Sequence, residues 1–412
     1  MLIVDTEDID KSWDLNLEDV RSKVESEGVQ ERELLLEKWH KLGEVKLDIA
    51  VIGNSGVGKS TFINAIRGLK DAEEAEAAEV GTTEKTVVIR DYRHPNNNSL
   101  KFWDLPGVGT DRFPKQTYLH DINVDCYDFF LLITAGRFTE NDTWLGNELR
   151  KRNKKYFFVR TKIEVDISHD KSAHPRNHNE KDVIRDIRES TQRKMEENGV
   201  ADVQVFLIDS HKPQKFDFCL LEERLIDKIS DLKKSTLILS LQASSKVLIH
   251  LKAKEFRSEI YKVAYTSTMT DGEKTTISLY GVSTEIDIHR VREQAEFYHK
   301  QLGLDTISLK RLAKNTFTDY EQLRDIASRC RGCDDVEGCE EMVKELSKGT
   351  SSLLVSGLGL LNRINSIWIP VLGFAVAKAS CYSGTYYALK LILDHMESVA
   401  LDVIEFSQQH IA

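Results

Sequence analysis

The residues with the clearest chemical potential form a glycine-rich run that ends in a lysine and two hydroxyl residues. The run reads Gly53-Asn54-Ser55-Gly56-Val57-Gly58-Lys59-Ser60-Thr61. It follows an apolar stretch ending at Ile52 and precedes a helical pattern, which is the context of a phosphate-binding P-loop. Glycines let the backbone N–H groups converge on phosphate oxygens, and the helix start adds the positive end of its dipole. The run therefore predicts that Lys59 reaches the β- and γ-phosphates of a nucleotide and that Ser60 ligates Mg²⁺.

A second motif follows the next apolar strand. It reads Phe102-Trp103-Asp104-Leu105-Pro106-Gly107 and fits the pattern D-x-x-G. Asp104 is expected to hold Mg²⁺ through water, and the Gly107 N–H to sense the γ-phosphate. Ras-like enzymes place a water-orienting glutamine directly after this motif, whereas Val108 stands here. Either hydrolysis is very slow, or another residue, from this chain or from a second molecule, supplies the polar contact.

The third motif concerns the base. GTPases carry [NT]-K-x-D here, and this chain reads Thr161-Lys162-Ile163-Glu164. The Lys162 stem is expected to pack on the purine, and a carboxylate to accept from guanine N1–H and the exocyclic amine, a donor pair that adenine lacks. The carboxylate is Glu164 by position, with Asp166 or a weakened base affinity as the alternatives.

Two further segments complete the predicted site. Ser210 and His211 follow the last strand, where the Ser210 backbone or hydroxyl could contact guanine O6 and His211 could flank the base or be a plain surface residue. A switch loop between the first two motifs should supply a group for Mg²⁺ or the γ-phosphate. Its candidates lie in the run from Gly81 to Thr86 and include Thr82 and Thr83, and the sequence does not choose among the threonines of this run.

Short apolar strands alternate with helical stretches between residues 44 and 235. This alternation predicts βαβ units, and hence an α/β domain with a mainly parallel sheet covered by helices. After residue 236 the strand signals fade and helical patterns follow, so an all-α domain is expected over 236–412, joined by N-terminal helices in 1–43. The predicted strands of the first domain after 45–52 are Thr86–Arg90, Leu100–Asp104, Phe129–Thr134, Tyr156–Thr161 and Val203–Asp209.

Charge and targeting signals limit the binding partners and the cellular location that the chain can have. The net charge of −10 opposes a non-specific grip on nucleic acid, which needs basic surface to displace counterions. The N-terminus lacks the pattern of a secretory signal, and Leu2 stands where N-myristoylation needs glycine. We therefore expect a cytoplasmic protein, with peripheral contact to endomembranes as an added option. The most apolar tract, 353–379, predicts a helical hairpin turning near Pro370, which is either buried core, a membrane-contacting segment or a membrane span.

The chain resembles the interferon-inducible immunity-related GTPases, the IRG family, and within it the branch with lysine in the P-loop. The resemblance extends well outside the nucleotide motifs and covers residue 15 to the C-terminus. Its segments are Phe102–Gly109, Tyr127–Phe130, Ala135–Phe138, Tyr156–Lys162, Phe297–Tyr298, Leu302–Asp305 and Ser308–Ala313.

The resemblance implies a Ras-like domain set against a helical domain built from both chain ends. It also implies GTP-dependent self-association through facing nucleotide sites, cooperative hydrolysis of GTP to GDP, and action on membranes of pathogen-containing vacuoles in innate immunity. A switch-loop glutamate is linked to catalysis in the family, and Glu84 matches that place. Membrane contact would rest on residues 351–378. The competing hypothesis is a nucleotide-gated membrane-binding or scaffolding module with little or no hydrolysis.

Overall fold

The computed structural model describes residues 45–69, 76–79, 88–110, 112–136, 139–197, 199–200, 204–268, 275–279, 282–330, 336–348 and 370–409. The elements given below belong to one compact unit, Leu47–Ala412. Its first part is an α/β domain, and its later part is mainly helical, as the sequence predicts.

A six-stranded sheet forms the centre of the first part. Its strand order is β2-β3-β1-β4-β5-β6, and β2 alone runs antiparallel to its neighbour. The strands are β1 (Leu47–Ile52), β2 (Arg90–His94), β3 (Asn97–Leu105), β4 (Phe129–Thr134), β5 (Tyr156–Arg160) and β6 (Val205–Leu207). The β4 prediction agrees with the structure in both bounds, whereas the strand predicted at Thr86–Arg90 begins only at Arg90.

Helices cover both faces of the sheet because successive strand residues point to opposite sides. In β4, Phe129, Leu131 and Ile133 face one buried cluster, and Phe130 and Leu132 face the other. The helices in this part are α1 (Lys59–Ile66), α2 (Tyr118–Asp121), α3 (Glu140–Lys151), α4 (Ile163–Ala173), α5 (Glu180–Glu197), α6 (Phe218–Lys228) and α7 (Asp231–Ser240).

The later helices share a separate apolar core. They are α8 (Lys246–Ser267), α9 (Ile288–Gln301), α10 (Thr306–Thr316), α11 (Tyr320–Ala327), α12 (Val336–Lys348) and α13 (Pro370–Gln408). α13 begins at Pro370, consistent with the tolerance of proline in a first helical turn. The predicted turn before it and the N-terminal helices lie outside the described residues. None of the helices in the described ranges is long and apolar enough to cross a membrane.

One expectation about this part was wrong. Strands β7 (Thr275–Leu279) and β8 (Val282–Ile286) form an antiparallel hairpin after α8. The hairpin occupies part of the region predicted to be all-α, and the next helix, α9, begins only at Ile288, where Asp287 caps it by accepting from the Arg290 N–H. Asp at this position satisfies one of the free N–H groups of a helix start.

Candidate functional site

The glycine-rich run connects the end of β1 to the start of α1. The Phe62 N–H donates to the Gly58 carbonyl at 2.9 Å, which closes the first turn of the helix. The Lys59 Nζ folds back over the loop and donates to the carbonyls of Gly53 at 3.0 Å and Asn54 at 3.3 Å. Burial lowers the pKa of Lys59, and the nearby Asp104 opposes that shift. The loop thus holds a buried ammonium at the N-terminus of a helix, an arrangement suited to phosphate.

Gly53 is required by a close approach of two strands. A Cβ at this position would lie 2.2 Å from the Ile133 carbonyl oxygen of β4. Any larger residue would push the loop away from the sheet. The predicted P-loop glycine is therefore explained here by packing against the neighbouring strand.

Ser60 and Asp104 come together as the proposed metal ligands require. The Ser60 Oγ donates to Asp104 Oδ2 at 3.2 Å, and the Lys59 Nζ lies 4.0 Å from Asp104 Oδ1. A hydroxyl and a carboxylate are hard oxygen ligands of the kind that Mg²⁺ takes alongside nucleotide phosphates. The donor set therefore fits Mg²⁺.

The D-x-x-G loop packs directly on the P-loop. A Cβ at Gly107 would lie 3.2 Å from the Asn54 Cα. The Tyr118 hydroxyl, on α2, donates to the Pro106 carbonyl at 2.7 Å and so holds this loop in place. Burial raises the pKa of Tyr118. Sequence reasoning missed Tyr118, because its only signal is one tyrosine in a short helix.

Val108 is buried, with 6% of its surface exposed. Its side chain belongs to the apolar cluster on one face of the sheet, and its carbonyl accepts from Asn141 Nδ2 at 3.1 Å. The residue after Gly107 is thus part of the core, so it offers no polar group to a water molecule at the γ-phosphate.

Thr161 and Lys162 tie the third motif to the P-loop. The Thr161 Oγ1 donates to the carbonyl of Val57 at 2.6 Å, and the Lys162 Nζ donates to the carbonyl of Gly56 at 2.7 Å. Lys162 adopts a left-handed conformation with φ of 61°, which directs its side chain across the loop. The predicted base-binding and phosphate-binding segments are therefore braced against each other.

The two candidate carboxylates have different partners. Glu164 accepts from Lys212 Nζ at 2.7 Å and from Lys215 Nζ at 3.2 Å, and both lysines lie in the loop after β6. Burial alone would raise the pKa of Glu164, but the hydrogen bonds from the two lysines hold it below its usual value. Asp166 instead pairs with Arg160 at 2.8 Å.

Ser210 and His211 lie in that same loop. The Ser210 Oγ is buried and has no hydrogen-bond partner among the described residues, so it suits a ligand atom. His211 is exposed, and its N–H donates to Asp209 Oδ1 at 2.9 Å. The structure thus places Thr161 just after β5, Glu164 in the first turn of α4 and Ser210 in the loop after β6, all beyond the carboxyl ends of neighbouring strands.

Thr82, Thr83 and Glu84 lie outside the described residues. The segment just before them, 76–79, is held by α1.

Comparison with known proteins identifies the family. A family model described as interferon-inducible GTPase (IIGP) matches residues 15–405. The chain belongs to the interferon-inducible GTPase family. The match confirms the predicted resemblance, including its extent beyond the nucleotide motifs.

Individual relatives within this family are moderately similar. The chain is 32% identical over 277 residues to mouse (Mus musculus) Interferon-inducible GTPase 1, with 67% of this chain and 66% of the relative covered. It is 34% identical over 277 residues to mouse Interferon-gamma-inducible GTPase 10, covering 67% and 65%. It is 31% identical over 351 residues to Interferon-inducible GTPase 5 of Bos taurus, covering 85% and 73%. The match thus spans just under two thirds of the first two relatives.

Solved structures give a weaker likeness. A probable GTP-binding protein, engB, matches with a TM-score of 0.27 and 19% identity, covering 44% of this chain and 97% of that chain. A TM-score this low carries no argument about this chain.

Proposed function

We propose that the chain is a Mg²⁺-dependent GTPase that hydrolyses GTP to GDP. The supporting observation is the cluster of Lys59, Ser60 and Asp104 at the carboxyl ends of β1 and β3, a usual place for ligands in an open α/β sheet. Lys59 neutralises charge on the β- and γ-phosphates. Ser60 and Asp104 hold the metal, which supplies charge stabilisation at the transferred phosphoryl group.

GTP-dependent self-association through this domain forms the second part of the proposal. Val108 is buried, so it cannot orient the attacking water. A residue elsewhere must do so, and Glu84, Thr82 and Thr83 are the candidates in the switch loop. A second copy facing the first nucleotide site would bring that polar group into place and make hydrolysis cooperative.

The decisive experiment measures GTP turnover per molecule over a range of protein concentrations with Mg²⁺ present. We expect specific activity to rise with concentration, and EDTA to abolish it. Lys59→Ala is the inactive control, and Lys151→Ala, an exposed lysine on α3, is the matched active control. Constant specific activity across the range would refute catalysis between two copies.

The buried Val108 also favours a second candidate, a nucleotide-gated membrane-binding or scaffolding module with little hydrolysis. Assembly titrated with GDP, GTP and a non-hydrolysable GTP analogue separates the two. Under the first proposal GTP assemblies dissolve as GTP is consumed, whereas analogue assemblies persist. Equal persistence with GTP and no GDP release would support the module instead.

Membrane contact belongs to the same proposal. The helical part, 236–412, would bring residues 351–378 to a cytoplasmic membrane surface, in keeping with a role in innate immunity. Flotation with anionic vesicles in the presence of the GTP analogue tests this placement. Ile364→Glu should lower the bound fraction, whereas Val247→Glu, an exposed position on α8, should not. Equal binding by both variants would move the contact elsewhere.

A further inference from the structure

The Glu164 carboxylate lies between two ammonium groups. Lys212 approaches one of its oxygens at 2.7 Å, and Lys215 approaches the other at 3.2 Å. Lys215 also pairs with Glu180, at the start of α5, at 2.8 Å. Each oxygen of the Glu164 carboxylate therefore contacts a different lysine. One of these lysines, Lys215, is also held by a second carboxylate, that of Glu180.

The loop that carries the lysines is built to direct them. Phe216 has a φ of 65°, a conformation that a bulky residue seldom adopts unless its surroundings enforce it. The Lys215 Nζ lies 5.0 Å from the centroid of the Phe216 ring. Asp217 closes the loop onto β6, since its N–H donates to the Leu207 carbonyl at 3.0 Å and its Oδ2 accepts from the Leu207 N–H at 2.9 Å.

The Glu164 carboxylate stays partly exposed, with 29% of its side chain accessible, and can accept further hydrogen bonds. An ionised carboxylate offers about four lone-pair sites on its two oxygens, so each oxygen keeps accepting capacity after binding one ammonium. Guanine presents two donors side by side, N1–H and the exocyclic amine. Glutamate has one more rotatable bond than aspartate, and that freedom must be lost before its two oxygens can meet those donors.

We propose that Lys212 and Lys215 are positioning residues that hold the longer Glu164 side chain in the orientation that reads guanine. This inference rests on the proposed function. The two ion pairs fix the extra torsion in advance, so the chain reads guanine with glutamate where most GTPases use aspartate. The lysines act through Glu164 and need no contact with the nucleotide.

The test compares dissociation constants for GTP and for inosine triphosphate, which lacks only the exocyclic amine. We expect the preference for GTP over inosine triphosphate to fall about 10-fold in Lys212→Ala/Lys215→Ala, the scale of one lost hydrogen bond to a charged group. In a Glu164→Ala background the same two substitutions should change the preference no further. Lys233→Ala is the matched control, because Lys233 donates to both oxygens of Asp128 at 2.7 Å, well away from the third motif in sequence.

Each other outcome overturns the inference. An unchanged preference in the double variant would show that Glu164 needs no positioning, and a higher one would show that the lysines compete with the base. In both cases a wild-type chain that prefers GTP over ATP leaves the proposed function standing. A wild-type chain without that preference would remove the proposed function and this inference together.

Discussion

Asn64 and Ala78 exchange two hydrogen bonds. The Asn64 Nδ2 donates to the Ala78 carbonyl at 2.9 Å, and the Ala78 N–H donates to Asn64 Oδ1 at 2.7 Å. Asn64 lies on α1, the helix that begins at Lys59, and both residues are buried. Three residues further, Arg67 donates to the Glu76 carbonyl at 2.9 Å. The helix that carries the P-loop lysine therefore also anchors the segment that leads to the switch loop.

Asn64→Ala should loosen that segment. The substitution leaves a buried N–H and a buried carbonyl of Ala78 without partners, which costs roughly 2–4 kcal/mol in the free energy of unfolding. Urea denaturation measures the cost, and hydrogen exchange of the Ala78 amide should speed up. Asn177→Ala, at an exposed asparagine in the loop before α5, is the control, and an equal loss in both variants would contradict the assigned role.

Lys59→Ala should weaken triphosphate binding by about 10- to 100-fold, because one or two hydrogen bonds from a charged donor are lost. Titration with a fluorescent GTP analogue measures the change. The circular dichroism spectrum should stay unchanged, since the deleted ammonium contacts two loop carbonyls and the Asp104 carboxylate and forms no backbone hydrogen bond of a helix or strand. Unaltered affinity would refute the placement of the phosphate site.

Glu164→Ala and Asp166→Ala should differ in base preference. Glu164 faces the loop that carries Ser210, so its loss should reduce the preference for GTP over ATP by about 10- to 100-fold. Asp166 is engaged by Arg160, so its loss should leave that preference unchanged. Competition binding with ATP distinguishes the two, and the opposite result would make Asp166 the guanine reader.

Glu222→Gln should change how stability depends on pH. Glu222 is buried on α6, and burial raises the pKa of its carboxyl from 4.5 to about 8. The native state then binds more protons than the unfolded state between these values, so this group stabilises the fold fully below pH 4.5 and progressively less toward pH 8. Glutamine keeps an acceptor for the Ser244 hydroxyl, which now donates to Glu222 at 2.8 Å, and does not titrate.

The free energy of unfolding of Glu222→Gln should therefore gain on wild type by roughly 2 kcal/mol between pH 5 and pH 7. The comparison must be made at each pH, because burial lowers the pKa of His94 to about 3, which makes wild-type stability rise in part of this range. Glu223→Gln is the matched control, because the Glu223 carboxylate lies next to Glu222 on α6 and accepts from the Ser245 hydroxyl, but Glu223 is only half-buried. If the difference in the free energy of unfolding between each variant and wild type did not change with pH, Glu222 would already be charged at pH 5.

The sequence predicted best those parts of the fold whose hydrophobic pattern is unambiguous. The β4 strand is apolar up to its last residue, Thr134, and is buried on both faces, so the apolar run marks both of its bounds. The β7–β8 hairpin escaped prediction because its strands are short, and its residues 282–286 run directly into the cap at Asp287. A helical pattern that starts just beyond them obscured the alternation.

The nucleotide motifs were predictable because each is contiguous in the chain. The cations around Glu164 were not, because Lys212 and Lys215 are 48 and 51 residues away from it. Their approach depends on the left-handed turn at Phe216, and no residue pattern signals that conformation at a phenylalanine. The same holds for Tyr118, whose role depends on meeting a carbonyl from another loop.

The pair of hydrogen bonds between Asn64 and Ala78 ties the segment 76–79 to the helix that begins at Lys59. Arg67, on the turn that ends this helix, adds a third hydrogen bond to the Glu76 carbonyl. A ligand that shifts the helix at Lys59 should therefore shift 76–79 with it, so binding at the phosphate site is coupled mechanically to a second segment of the chain.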